Sequence, residues 1–129
     1  SVNYMFDKLA SMNLPITTIA GVPAFIAAGA ISGLHIVKQE EKLVVLPGII
    51  TAEELDSLLT SGYVVVIMKL SQCTSEIHRF MQTNRQHEFH YYENVGTINE
   101  LHSTNYKDII QKEYPYFSLM IIRPGKQLA

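Results

Sequence analysis

Few side chains in this sequence carry reactive chemistry, and their spacing limits what they could do. The five histidines are His35, His78, His87, His90 and His102. His87 and His90 are three apart, a spacing that puts them on opposite faces of an extended chain, and no cysteine lies nearby to complete a metal pair. They read as surface or half-buried side chains, and no metal is assigned. The one cysteine, Cys73, lies in Ser-Gln-Cys-Thr, which carries no cysteine-hydrolase signature, and no serine sits in a Gly-x-Ser-x-Gly elbow. Neither Gly-x-Gly-x-x-Gly nor a phosphate loop occurs. Glu53 and Glu54 are accounted for by helix capping and need no acid–base role. No catalytic residue is named on these grounds.

What is left is a set of segments that would expose backbone. Gly21-Val22-Pro23-Ala24 reads as a strand-to-helix turn, Met68 ends one strand, Asn94-Val95-Gly96 ends another, and Phe117-Ser118 enters a third. Each alone is ordinary turn or core chemistry. Together they could line one edge of a sheet, where open α/β folds place their ligands.

The elements that must position these segments start with Tyr63 to Leu70, whose run of aromatic and β-branched residues reads as a central strand buried on both faces. Residues 2–12 carry Met5, Phe6, Leu9 and Met12 at helical spacing, with Ser1 as a possible cap. A short strand is expected over residues 16–20, a small-residue helix over Ala24 to Ile31 closed by Gly33, and a strand over Leu43 to Leu46. The polar run from Lys38 to Lys42 reads as a solvated loop. Thr51-Ala52-Glu53-Glu54 has the form of a capping box opening a helix that buries Leu55, Leu58 and Leu59. Further along come a helix through Ile77, Phe80 and Met81, a strand from Phe89 to Val95, a polar connection through Glu100 and His102, a helix from Asn105 to Lys112, and a last strand from Phe117 to Ile122. The sum is one α/β domain in a three-layer-like arrangement, with a mixed sheet of about five strands and about five helices.

Bulk composition narrows the function classes. With 129 residues, 47% hydrophobic and 17% charged, the chain can bury one ordinary core and lies far from the composition of disorder. A formal charge of −2 and scattered basic residues give no field to hold nucleic acid. The apolar stretch from Ala20 to Ile31 is too short for a membrane span, and a lone cysteine fits a reducing compartment, so a soluble cytoplasmic protein is expected.

The same backbone segments resemble the tetrapyrrole (corrin/porphyrin) methylases, in particular their C-terminal domain. Ile19-Ala20-Gly21-Val22-Pro23-Ala24-Phe25-Ile26-Ala27-Ala28 is similar to the family's "IPG(I/V)-T/S-(S/A)-F-x-A-A". Leu43 to Gly48, Val65 to Lys69 and Pro115 to Leu119 are similar to "LAVLPA", "VVLMKV" and "PYFSL", as read in the branch that methylates precorrin-2 at C20. The likeness runs collinearly through nearly the whole chain.

The resemblance implies S-adenosylmethionine as cofactor, folded between two domains and held largely by backbone groups. Carried over by position, Pro23, Ala24, Met68, Val95 and Ser118 are its expected contacts, and Lys69 is the expected partner of a substrate carboxylate. Two departures stand out: Ala20 replaces a proline, and Pro23 replaces a Thr or Ser, which removes a hydroxyl contact. The resemblance further implies that residues 1–129 are a C-terminal domain, that the N-terminal domain with its "GxGPGD" loop is absent from this chain, and that the isolated domain is inactive. Its expected partners are precorrin-2 or cobalt-precorrin-2, the missing domain and a second copy in a homodimer. The alternative is a stand-alone, non-catalytic ligand-binding or dimerisation module of the same fold.

Overall fold

A computed structural model describes residues 2–15, 17, 21–48 and 50–125. The expected strand over residues 16–20 and the Ser1 cap lie outside the described residues, apart from Thr17, which is not in a strand. In chain order the elements are α1 (Val2–Ser11), α2 (Ala24–Ser32), β1 (Lys42–Leu46), α3 (Ala52–Thr60), β2 (Tyr63–Ile67), a short 3-10 helix (Leu70–Cys73), α4 (Thr74–Thr83), β3 (Glu88–Glu93), β4 (Leu101–Ser103), α5 (Tyr106–Gln111) and β5 (Ser118–Arg123). Among the described residues no helix is long and apolar enough to cross a membrane.

The five strands form one mixed sheet in the order β1-β2-β5-β3-β4. β1 runs parallel to β2, with Lys42 opposite Tyr63 and Leu46 opposite Ile67, and α3 is the crossover between them. β5 is antiparallel to both β2 and β3, and β4 is antiparallel to β3. The carboxyl ends of β1, β2 and β3 therefore share one edge with the start of β5. Glu93 opposite Ser118 and Ile67 opposite Met120 mark that edge in the register.

Alternation along the strands builds two cores. On one face Val65, Ile67, Phe89, Tyr91, Met120 and Ile122 pack with Leu55 and Leu59 of α3, Ile77, Phe80 and Met81 of α4, and Ile109 of α5. On the other, Val64, Val66, Tyr92, Leu119 and Ile121 pack with Ala28 of α2, and Phe25, Leu34 and Ile36 lie against them. Helices on both faces of a sheet whose inner strands are buried on both sides give the three layers the composition called for.

Several boundaries differ from the sequence reading. β2 ends at Ile67 rather than Leu70, because Lys69 turns into the left-handed region (φ 52°) and Leu70 begins the 3-10 helix. β3 ends at Glu93, where Asn94 takes φ 49°. The polar connection after Gly96 contains β4, a three-residue edge strand paired through Tyr91–Ser103 and Glu93–Leu101. Helix α1 forms, but its apolar side is open: Tyr4, Met5, Phe6 and Met12 are exposed. The helix α3 cap is half of the expected box. Glu54 N–H donates to Thr51 Oγ1 at 3.2 Å, while the second first-turn donor, Ala52 N–H, goes to the Glu76 carboxylate of α4 at 3.2 Å.

Candidate functional site

The strand ends that share one sheet edge enclose a cavity of about 370 Å³. Its wall on the β2 side is Met68 and Lys69; on the β3 side, Asn94, Val95 and Thr97; and on the β5 side, Tyr116, Phe117 and Ser118. Tyr92 and Leu119, from the core beneath, form the floor, and Ala24, the first residue of α2, stands above it. This is the carboxyl-end edge of the parallel strands, where open α/β sheets place their ligands.

Of the six sequence-expected site residues, the fold brings Ala24, Met68, Lys69, Val95 and Ser118 to this one cavity. Pro23 is the exception. It precedes α2 with φ −58° and ψ 147° and makes no side-chain cap, so its contribution is to fix where the helix starts. Its carbonyl accepts from Ile26 N–H at 3.1 Å and Ala27 N–H at 3.2 Å. Tyr92 and Tyr116 were not singled out by the sequence. The pattern of Tyr92 is that of a core strand residue, and it reaches the cavity because the strand ends one residue later, at Glu93.

The corners around the cavity are held by local hydrogen bonds. Met68 N–H donates to Leu46 O at 2.9 Å, and Gln72 N–H to Lys69 O at 3.1 Å, tying the β2 corner to β1 and to the 3-10 helix. Asn94 N–H donates to Phe117 O at 2.9 Å and joins two walls. Past Asn94 the loop closes on itself: Thr97 Oγ1 donates to Asn94 O at 2.8 Å, and Gly96 N–H donates to the Glu100 carboxylate at 2.7 Å. On the floor, Tyr92 and Ser32 of α2 share a hydroxyl hydrogen bond of 2.8 Å that fixes the helix over the sheet. Burial pushes the Tyr92 hydroxyl up from its ordinary range, and the bond to Ser32 offsets part of that.

These bonds decide what chemistry the cavity offers. The Ser118 hydroxyl donates to Pro115 O at 2.6 Å, so the two aliphatic hydroxyls of the lining, Thr97 and Ser118, have their protons committed locally. Among the described residues no carboxylate, histidine or cysteine lines the space, and Lys69 is the one cation in the lining. Apolar walls with backbone polar groups at the corners suit an amphiphilic small molecule bound by shape and main-chain contacts. They do not suit a general acid–base or nucleophilic mechanism run from this wall.

The groups set aside in the sequence lie elsewhere. Cys73 is buried at the end of the 3-10 helix with Sγ 3.5 Å from Leu70 O, and burial, then the charge of Glu76, pushes its thiol up to about 11. His87 and His90 fall on opposite faces. The His87 ring lies parallel to that of Phe80 and accepts from Gly125 N–H at Nδ1 (2.9 Å), whereas His90 and His102 stack in line with Tyr92. Burial lowers the His87 and His102 imidazoles, opposed at His87 by Asp56 and reinforced at His102 by His90. Among the described residues no three metal-ligating side chains converge.

Known proteins resemble this chain in sequence and in fold. The sequence model of the Tetrapyrrole (Corrin/Porphyrin) Methylases matches residues 1–108. A precorrin-2 C(20)-methyltransferase from Sinorhizobium sp. is 30% identical over 125 residues, which cover 97% of this chain and 50% of that protein. Among solved structures, a cobalt precorrin-4 methyltransferase superposes with a TM-score of 0.69 at 13% identity, over 95% of this chain and 58% of that one. A uroporphyrin-III C-methyl transferase from Thermus thermophilus, complexed with S-adenyl homocysteine, gives 0.55 at 14% identity, over 89% and 55%. The chain thus spans about half the length of the curated relative it matches. Since the sequence match runs through most of the 129 residues and the shared architecture through nearly all of them, the chain belongs to the tetrapyrrole methylase family.

Proposed function

We propose that this chain is the C-terminal domain of an S-adenosylmethionine-dependent methyltransferase acting on precorrin-2 or cobalt-precorrin-2, and that its cavity is one wall of the cofactor site. The observation that carries this reading is the convergence of four separate segments, Ala24, Met68–Lys69, Asn94–Thr97 and Tyr116–Ser118, on a single cavity at the strand ends. The precorrin-2 C(20)-methyltransferase to which the chain is similar acts, by its name, on precorrin-2 at C20, and a fold neighbour was solved with S-adenyl homocysteine.

The residues present fit such a cofactor. Ala24, Val95, Leu119 and Tyr92 give an apolar floor and sides for a nucleoside, and the main chain at Met68 and Val95 gives polar groups at the edges. When bound, the sulfonium supplies an electrophilic methyl group for a nucleophilic carbon of the macrocycle. What this wall contributes is position: alignment of donor and acceptor replaces acid–base assistance, in keeping with a lining that, among the described residues, has no carboxylate or imidazole. Lys69, exposed at the rim, is assigned to a substrate carboxylate, where an ammonium on a flexible stem suits a mobile acetate or propionate arm.

The second wall is assigned to a further domain, in line with the half-length match to the curated relative. Exposed Tyr116 and Phe117 at the rim, 68% and 70% accessible, are the side chains such a domain would cover. The test is direct. The 129-residue chain incubated with S-adenosylmethionine and precorrin-2 is expected to give no methylated product and to bind S-adenosylhomocysteine only at about millimolar Kd. Turnover by this chain alone would overturn the one-wall reading, and micromolar binding without turnover would favour a self-sufficient ligand-binding module.

A further inference from the structure

The turn after β1 passes directly behind the cavity wall. Gly48 is buried in that turn with φ 123°, a conformation L side chains rarely adopt. A Cβ built on it would lie 2.9 Å from Met68 O, 2.9 Å from Lys69 O and 3.1 Å from Gln72 Oε1. Real carbon atoms do not approach oxygens of this kind so closely, and two of the three belong to the main chain, which cannot swing aside as a side-chain tip can. The corner they belong to is already constrained: Met68 N–H is bonded to Leu46 O, two residues before Gly48, and Lys69 sits in the left-handed region. A side chain at position 48 must therefore move the Met68–Lys69 corner, and that corner is a wall of the cavity.

We propose that Gly48 is a positioning residue for the cavity: its missing side chain sets where the Met68–Lys69 wall stands, and hence how well a ligand fits. The inference rests on the reading of this cavity as a ligand site.

A second glycine supplies the control. Gly62, at the start of β2, also has positive φ (88°), but a Cβ there would meet nothing within 4 Å. Gly62→Ala thus introduces backbone strain without crowding, and Gly48→Ala introduces both. Both variants of the 129-residue chain are expected to melt lower than wild type. Only Gly48→Ala is expected to shift the amide resonances of Lys69 and Gln72, and to weaken S-adenosylhomocysteine binding followed by NMR about tenfold or more. Unmoved Lys69 and Gln72 amides, or a loss of affinity no greater than that of Gly62→Ala, would overturn the proposal. If the wild-type chain shows no S-adenosylhomocysteine binding, the cofactor reading fails, and the amide comparison still decides whether Gly48 sets the wall. Should Gly48→Ala not fold alone, the pair Gly48→Ala with Lys69→Gly, whose corner can yield, is expected to fold. A pair no better folded than the single change would count against the proposal.

Discussion

Arg123 closes β5 with a guanidinium that holds the far edge of the sheet together. It donates to His35 O at 3.1 Å and Ile36 O at 2.7 Å, and its Nη2 reaches both oxygens of Glu41 at 3.0 and 2.9 Å. The connection between α2 and β1 is thereby pinned, and α2 with it. Glu41 came from a run read as a solvated loop, and nothing local marks it out, because its partner is 82 residues away. Burial pushes its carboxyl up, but the Arg123 hydrogen bond, the Lys38 N–H and the charges of Arg123 and Lys38 outweigh that and hold it below 4.5. A depressed carboxylate stabilises the fold fully above its unfolded value and stops doing so as pH falls through the folded value. Glu41→Gln is expected to cost about 1–3 kcal/mol at neutral pH. Its melting-temperature gap from wild type should close as pH drops below 4.5, and a gap undiminished at about pH 3 would contradict this account. At Cys73 the expectation is inertness. With the thiol raised to about 11, a disulfide reagent at about pH 8 should modify the folded chain about a hundredfold more slowly than the unfolded one, and equal rates would contradict the burial argument.

Among the elements, those with a strong internal pattern were legible and those made by their partners were not. β2, α3, α4 and β5 announce themselves through runs or spacings that their burial reproduces. β4 does not, since three exposed or half-buried residues become a strand only because β3 offers its edge. The ends of β2 and β3 were read too long for a related reason: apolar composition continues past Ile67 and aromatic composition up to the corner, while the left-handed turns at Lys69 and Asn94 leave no trace in hydrophobicity. The α3 cap divides the two kinds of signal within one motif. Thr51→Ala is expected to cost about 1 kcal/mol, lowering the melting temperature by about 3–6 °C. Glu54→Gln should cost less than Glu76→Gln, because it is Glu76, from the neighbouring helix, that receives Ala52 N–H and also pairs with Arg79 at 2.7 Å. The reverse order, measured by thermal melts, would mean that the local capping box closes in solution after all.

At the scale of the whole molecule, what matters is that one sheet edge collects β1, β2 and β3 at their carboxyl ends with β5 at its start. The sequence located the segments along the chain, but their meeting depends on β5 inserting antiparallel between β2 and β3, which no local pattern encodes. The residue pattern picked out the segments that hold Ala24, Met68, Val95 and Ser118, and the resemblance to a family turned them, with Lys69, into expected ligand contacts. Tyr92 escaped both routes because it looks like core, and Tyr116, inside the segment similar to "PYFSL", was not carried over as a contact because exposed aromatics beside proline are unremarkable in a loop. The central claim is that this edge is the cofactor's wall. It is tested most directly by an amide and methyl NMR titration of the 129-residue chain with S-adenosylhomocysteine. The account predicts saturable shifts confined to Ala24, Met68, Lys69, Val95, Ser118 and their neighbours, with a Kd of about a millimolar. Saturable shifts on the α3–α5 face with the cavity residues silent would contradict it.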